Sequence, residues 1–199
     1  MKPILFSGEM VRAILDGRKT QTRRVIKPQP IVPKYTGIRW AEVGSDNTIH
    51  HYLKNNYGMP GDLLWVRETW ASHKYMDDTK PSEFTAGAQM LPVWYRADGV
   101  QSDERGKWRP SIFMPRWASR ITLRVVDVRV EQVQDISEED AVAEGVTKNL
   151  PDGWICAESH RMIFKRLWNS INGTRGYAWY TNPWVWVVEF EEVSWKTAR

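Results

Sequence analysis

The chain is nearly without cysteine: Cys156 is the only one in 199 residues. A single thiol cannot close an internal disulfide, so packing must hold the fold, and a reducing compartment is expected. Long apolar runs are absent as well. No stretch approaches the roughly 18 residues that a membrane span needs, and no basic n-region leads into an apolar segment. A cytoplasmic protein with no membrane partner is therefore expected. Histidine is scarce. His50, His51, His73 and His160, taken with Cys156, show no His-x-x-x-His or Cys-x-x-Cys spacing, the patterns that bring two ligands to one ion. No metal and no cofactor is expected. The chain also lacks a glycine-rich phosphate loop, which excludes nucleotide hydrolysis of the P-loop kind.

Tryptophan, by contrast, is abundant. There are twelve, many beside arginine, and an indole offers a base a good stacking surface. The net charge of +4 permits a polyanionic partner without requiring one. An apolar share of 42% is enough for one core, and the length suits one domain carrying insertions. That domain is expected over 1–193, with insertions at 28–57 and 71–110 and a tail at 194–199.

Lys2–Phe6 reads as a strand. Ser7 can cap a helix on which Met10, Val11, Ile14 and Leu15 share a face, with Gly17 as its left-handed stop. Pro60-Gly61-Asp62 is a turn, and Leu63–Trp70 alternates as a strand, with Arg67 and Glu68 near its polar end. Val93–Ala97 and Ile121–Val130 are further strands. Ile136-Ser137-Glu138-Glu139-Asp140 opens a helix by a capping box and Gly145 ends it. A second helix spans about Ser159–Ser170, with Met162, Ile163, Arg166 and Leu167 on one face, and Asn182–Phe190 closes the chain as a strand. Strands with few helices and no βαβ alternation predict an α+β fold, a small β-barrel with helices packed on it.

Three features could carry chemistry. Glu144 ends its helix at the negative pole of the dipole, where a cation is normally favoured; its anion is disfavoured there, which suits a proton donor. The plain alternative is an exposed helix-end glutamate. Lys19 and Thr22 could form a base and nucleophile pair. Positions three apart face opposite sides of a straight strand, so the two can share a site only if the backbone turns between them. Finally, Trp108–Arg120 interleaves Arg109, Arg116 and Arg120 with Trp108, Phe113 and Trp117. That suits a phosphate beside a stacked base, or else core tryptophan beside surface arginine.

Taken together, the run Gly17-Arg18-Lys19-Thr20-x-Thr22-x-Arg24, then Pro60-Gly61-Asp62 before Leu64-Trp65-Val66, then Ile136–Gly145 and the aromatic closing strand resembles the ASCH-domain family of the PUA-like superfamily. Trp65–Trp70, Phe113–Trp117 and Asn182–Trp186 look like its longer phage and prophage branch. The resemblance implies a PUA-like β-barrel with a helix-flanked cleft for RNA or modified nucleosides. Small bacterial members remove the acetyl group from N(4)-acetylcytidine, and their lysine, threonine nucleophile and acidic proton donor fall on Lys19, Thr22 and Glu144. Gln21 and Arg23 depart from the apolar residues usual in that motif, and the two insertions have no counterpart in the small members.

The expected function is thus an amidohydrolase removing an acyl group from an N(4)-acylated cytosine nucleoside or a related modified base. Arg24, Arg67, Glu68, Trp70, Arg116, Trp117 and Arg120 are candidates for gripping base, sugar or phosphate. The alternative is a non-catalytic binding protein for RNA or modified nucleic acid, of phage or prophage origin, with RNA favoured over DNA.

Overall fold

The computed structural model describes residues 1–30, 55–84, 90–149 and 155–193. His50, His51, most of the expected first insertion and the expected tail lie outside the described residues. The elements, in order, are β1 (Lys2–Leu5), α1 (Gly8–Leu15), β2 (Gln21–Val25), β3 (Leu63–Arg67), β4 (Trp70–Ala71), β5 (Trp94–Tyr95), β6 (Thr122–Gln132), α2 (Glu138–Ala143), α3 (His160–Asn172) and β7 (Trp184–Glu192). Several single 3₁₀ turns join them.

The fold is mixed α+β. Five strands form one sheet in the order β1-β3-β6-β7-β2, and β4 pairs with β5 in a second. β1 runs parallel to β3, while β3 with β6 and β2 with β7 are antiparallel. β1 and β2 end the sheet order, so among the described residues the sheet does not close into a barrel. No helix of the described residues is long and apolar enough to cross a membrane.

The chain divides into two compact units, 1–16 with 62–124 and 192–199, and 17–61 with 125–191. In the first, Ser7 caps α1 as expected, its hydroxyl accepting from the Met10 amide. The buried face of α1 is Val11, Ala13 and Ile14, and Leu15 is exposed, because Ala13 and not Leu15 turns inward. β3 ends at Arg67, earlier than the alternation predicted. The Glu68 amide leaves the ladder and donates to the Met114 sulfur at 3.3 Å. Trp70–Ala71 then pairs with Trp94–Tyr95, and a small core of Trp70, Met114 and Ala118 forms with Phe84, Val93, Tyr95 and Trp117 against it.

The second unit is built on Val133, Ile136, Ala141, Phe164, Trp168, Trp179, Val185 and Val187. The buried residues of α3 are Phe164 and Trp168, one turn apart, and Met162 is exposed. The large rings outcompete Met162 for the interior because they remove more apolar area from water. The Trp168 indole loses no hydrogen bond there, since it donates to Tyr177 O at 2.8 Å.

Candidate functional site

Lys19, Thr22, Glu144 and Arg24 all belong to the second unit, and the way α2 ends brings the first and third together. Ser137 caps α2 by accepting from the Asp140 amide, and the helix runs only to Ala143, with Glu144 as its C-cap. Gly145 follows at φ 86°, a left-handed turn that glycine makes at least cost. The last carbonyls of such a helix point out with no partner of their own. The Arg18–Thr20 segment supplies it: Thr20 N donates to Ala143 O at 2.9 Å, Lys19 Nζ to Glu144 O at 2.8 Å and Arg18 Nη1 to Gly145 O at 3.2 Å. Cations thus sit where the helix dipole favours them. The misfit that Glu144 presented in the sequence is compensated by its neighbours across the chain.

Lys19 is 2% exposed and Glu144 5%. Lys19 Nζ donates at 2.8 Å to Glu144 Oε2 and at the same distance to Gln21 O. With Glu144 O, that occupies the three hydrogens of an ammonium. Burial pulls the Lys19 ammonium below its usual range, Glu144 pulls it back, and Arg24 and Arg23 push it down further. Arg23 reaches the other carboxylate oxygen, Glu144 Oε1, at 3.4 Å, and also Asp140 at 2.8 Å and Glu131 at 3.0 Å. Arg129 bridges Asp140, Glu131 and Glu189. Burial works against the Asp140 anion, but hydrogen bonds from Gln21 and Arg23 outweigh it and hold the carboxyl below its usual range.

Gln21, Arg23 and Asp140 lie outside the expected site residues, yet the sequence carries a sign of the first two. They are the departures from the resembled motif. Gln21 Nε2 donates to Asp140 Oδ1 at 3.0 Å and to Asp140 O at 3.2 Å, so these polar side chains tie β2 to α2 where apolar residues would only pack. Alternation along β2 sets Gln21 and Arg23 on one side and Thr22 and Arg24 on the other. Thr22 is buried and sits opposite Val188 in the sheet. Its hydroxyl makes no hydrogen bond to Lys19 or Glu144 among the described residues. The link between Lys19 and Thr22 runs instead through the carbonyl of Gln21, the group that begins the peptide into Thr22. Arg24 lies close enough to Tyr57 and Glu144 for their charges to oppose the lowering that burial imposes on it.

Two cavities open beside this network. One of about 380 Å³ is lined by Thr20, Gln21, Asp140, Glu189 and Phe190 among others; the second, about 430 Å³, by Arg18, Thr20, Val142 and His160 among others. Thr20 lines both, and neither has Lys19, Thr22 or Glu144 in its wall.

The other six expected binding residues lie in the first unit. Arg67 and Arg116 hold their guanidinium groups over the Trp65 ring at 4.6 and 5.8 Å. Glu68 is 1% exposed and Arg120 joins it to Asp98, donating to both carboxylates. Arg120 also lies 3.9 Å over the Tyr95 ring. Burial raises Glu68, and Arg120 opposes that rise. Trp70 is wholly buried and meets Trp117 edge-on at 6.0 Å. Trp70 and Trp117 thus belong to a core, and Glu68 and Arg120 to an internal charge pair.

These observations define a class: an α+β protein with a buried, charge-paired lysine docked on a helix terminus. No protein-family model matches the sequence, and no curated protein matches it either. Among solved structures it is similar to protein EF3133 from Enterococcus faecalis V583, described as family model DUF984. That likeness has a TM-score of 0.45 and 12% identity, over 97% of this chain and 76% of that one.

Proposed function

We propose that the protein is an amidohydrolase of the PUA-like, ASCH-related kind, acting on an N(4)-acylated cytosine nucleoside. The observation that carries this reading is the buried contact of Lys19 Nζ with Glu144 Oε2 at 2.8 Å, which couples a candidate base to a candidate acid. The pair holds one proton between them. With Lys19 as the free amine, it takes the Thr22 hydroxyl proton while Oγ1 adds to the acyl carbon. Collapse breaks the bond from that carbon to N4, and N4 receives the proton carried by Glu144. Water then attacks the acyl-threonine ester and gives a proton to Glu144. The carboxylic acid leaves, and Lys19 returns its proton to Thr22. The desolvation that depresses Lys19 favours the free amine this step requires. Arg24, near Glu144, can stabilise the oxyanion.

A second reading is favoured by one specific observation. All three Lys19 hydrogens have acceptors and the Thr22 hydroxyl has no base within hydrogen-bond reach among the described residues, which fits a reader of modified RNA better than a poised enzyme. Hydrolysis of N(4)-acetylcytidine decides between them. Wild type is expected to turn over, with Lys19→Ala, Thr22→Ala and Glu144→Gln each down by about a hundredfold or more. An inert wild type, combined with RNA binding that falls steeply with added salt, would replace the enzyme with the reader.

A further inference from the structure

The geometry points to a separate small-ligand site in the first unit, built by the expected second insertion, that takes a nucleoside monophosphate. It is independent of the Lys19–Glu144 pair. A cavity of about 590 Å³ is lined by Arg67, Asp77–Ser82, Lys107, Arg109 and Ile112–Pro115. That volume lies in the range of pockets that enclose a small organic molecule.

Its lining combines two kinds of group. Ile112 and Phe113 are 57% and 58% exposed, and Phe113 offers a free aromatic surface of the sort on which bases stack. The same lining carries four cations, Arg67, Lys80, Lys107 and Arg109, against two carboxylates, Asp77 and Asp78. The protein pairs that positive charge only loosely at the surface: Lys80 Nζ lies 3.6 Å from Glu83, with both side chains more than half exposed. Lys107 Nζ approaches Asp78 only to 3.9 Å and stays more than half exposed. Arg67 spends Nη1 on Ile112 O at 3.1 Å, and Arg109 spends Nη2 on the carbonyls of Met76 and Asp77. Both guanidinium groups keep a buried Nε with no hydrogen-bond partner, and Arg109 is 7% exposed. Those Nε atoms have no surface open to the cavity, as with the Nε of Arg23, Arg24 and Arg105 elsewhere in the chain, so a bound phosphate is met by the ammonium groups of Lys80 and Lys107 on the exposed part of the lining.

A stacking ring beside a cation-rich wall selects a planar ring joined to a phosphate over either part alone. The Asp77 carboxylate already accepts from the Lys107 amide at 2.8 Å and holds that cation's backbone in place. Asp78, fully exposed, is free to accept from ribose hydroxyls.

Calorimetric titration of the full chain with adenosine and uridine 5′-monophosphates tests this. Adenosine and inorganic phosphate serve as separate controls, and Phe113→Ser, Lys107→Ala, Lys19→Ala and Glu144→Gln are the variants. A monophosphate is expected to bind with Kd below about 1 mM, and adenosine or phosphate alone at least tenfold more weakly. Phe113→Ser and Lys107→Ala, both at exposed positions that the fold does not need, should each weaken binding about tenfold or more; circular dichroism checks their fold. Lys19→Ala and Glu144→Gln should leave it unchanged. No binding at several times 1 mM would overturn the site. So would phosphate binding as tightly as the nucleotide, or loss of binding on Lys19→Ala with none on Phe113→Ser. Because Lys19→Ala and Glu144→Gln are the variants expected to lose turnover in the hydrolysis assay, failure here and failure of the amidohydrolase reading are told apart.

Discussion

Replacing Lys19 by methionine tests how the second unit holds its charges. Methionine keeps most of the apolar stem but removes the ammonium, which is 2.8 Å from Glu144 Oε2, Glu144 O and Gln21 O. The variant therefore leaves a carboxylate with a side chain 4% exposed and two carbonyls short of a donor. Removing one partner of a buried ion pair costs about 3–5 kcal/mol, because the remaining charge stays desolvated. Here Glu144 retains Arg23 at 3.4 Å, so the lower end, about 3 kcal/mol, is expected. In urea that lowers the unfolding midpoint by roughly 1 M or more. Glu144→Gln should cost less, since Lys19 can shed a proton that burial already disfavours. The double variant should be less destabilised than the sum of the two singles, as for residues in direct contact. The dependence on pH follows with its sign. The folded chain holds the Lys19 proton less tightly than the usual 10.5, so below that value the unfolded chain binds more protons. The stability of wild type relative to Lys19→Met therefore rises with pH up to about 10.5. A loss under about 1 kcal/mol, or strict additivity of the two singles, would refute this account of the pair.

Three further outcomes follow. Tyr95 donates to Ala118 O at 2.9 Å, and burial pushes its phenol up to about 12. Its contribution to stability is thus full below pH 10 and lost as pH rises through about 12. Absorbance titration should show a late tyrosine step that Tyr95→Phe removes. Gly145→Ala, at φ 86°, should lower stability by about 1 kcal/mol, measured as a drop in urea midpoint. At Gly106 a Cβ would collide with the Asp77 carboxylate that the Lys107 amide holds. Gly106→Ala should therefore both destabilise, by about 1–3 kcal/mol, and weaken monophosphate binding in the calorimeter.

Local signals in the chain were sufficient for the punctuation of this fold. Ser7, Ser137 and Ser159 each cap the helix that follows them, and their hydroxyls accept from the amide three residues on. Gly17 and Gly145 take the left-handed conformation at the positions where their helices stop. Capping and left-handed stops depend on a few neighbouring residues, so they can be read along one dimension. The mixed α+β class was legible for the same reason, since period and punctuation report the type of each element.

What the tertiary structure alone decided concerns partners far apart in sequence. Lys19 and Glu144 are 125 residues apart, and no periodicity announces their contact; it exists because the Arg18–Thr20 segment satisfies the open end of α2. Trp70 and Trp117 have the same composition signal as stacking surfaces, yet they meet edge-on in a core, while Phe113 stays exposed. An indole or phenyl ring can be driven inward by burial or left out as a platform. The choice depends on how much surface its neighbours can cover, and that is a property of the packed chain.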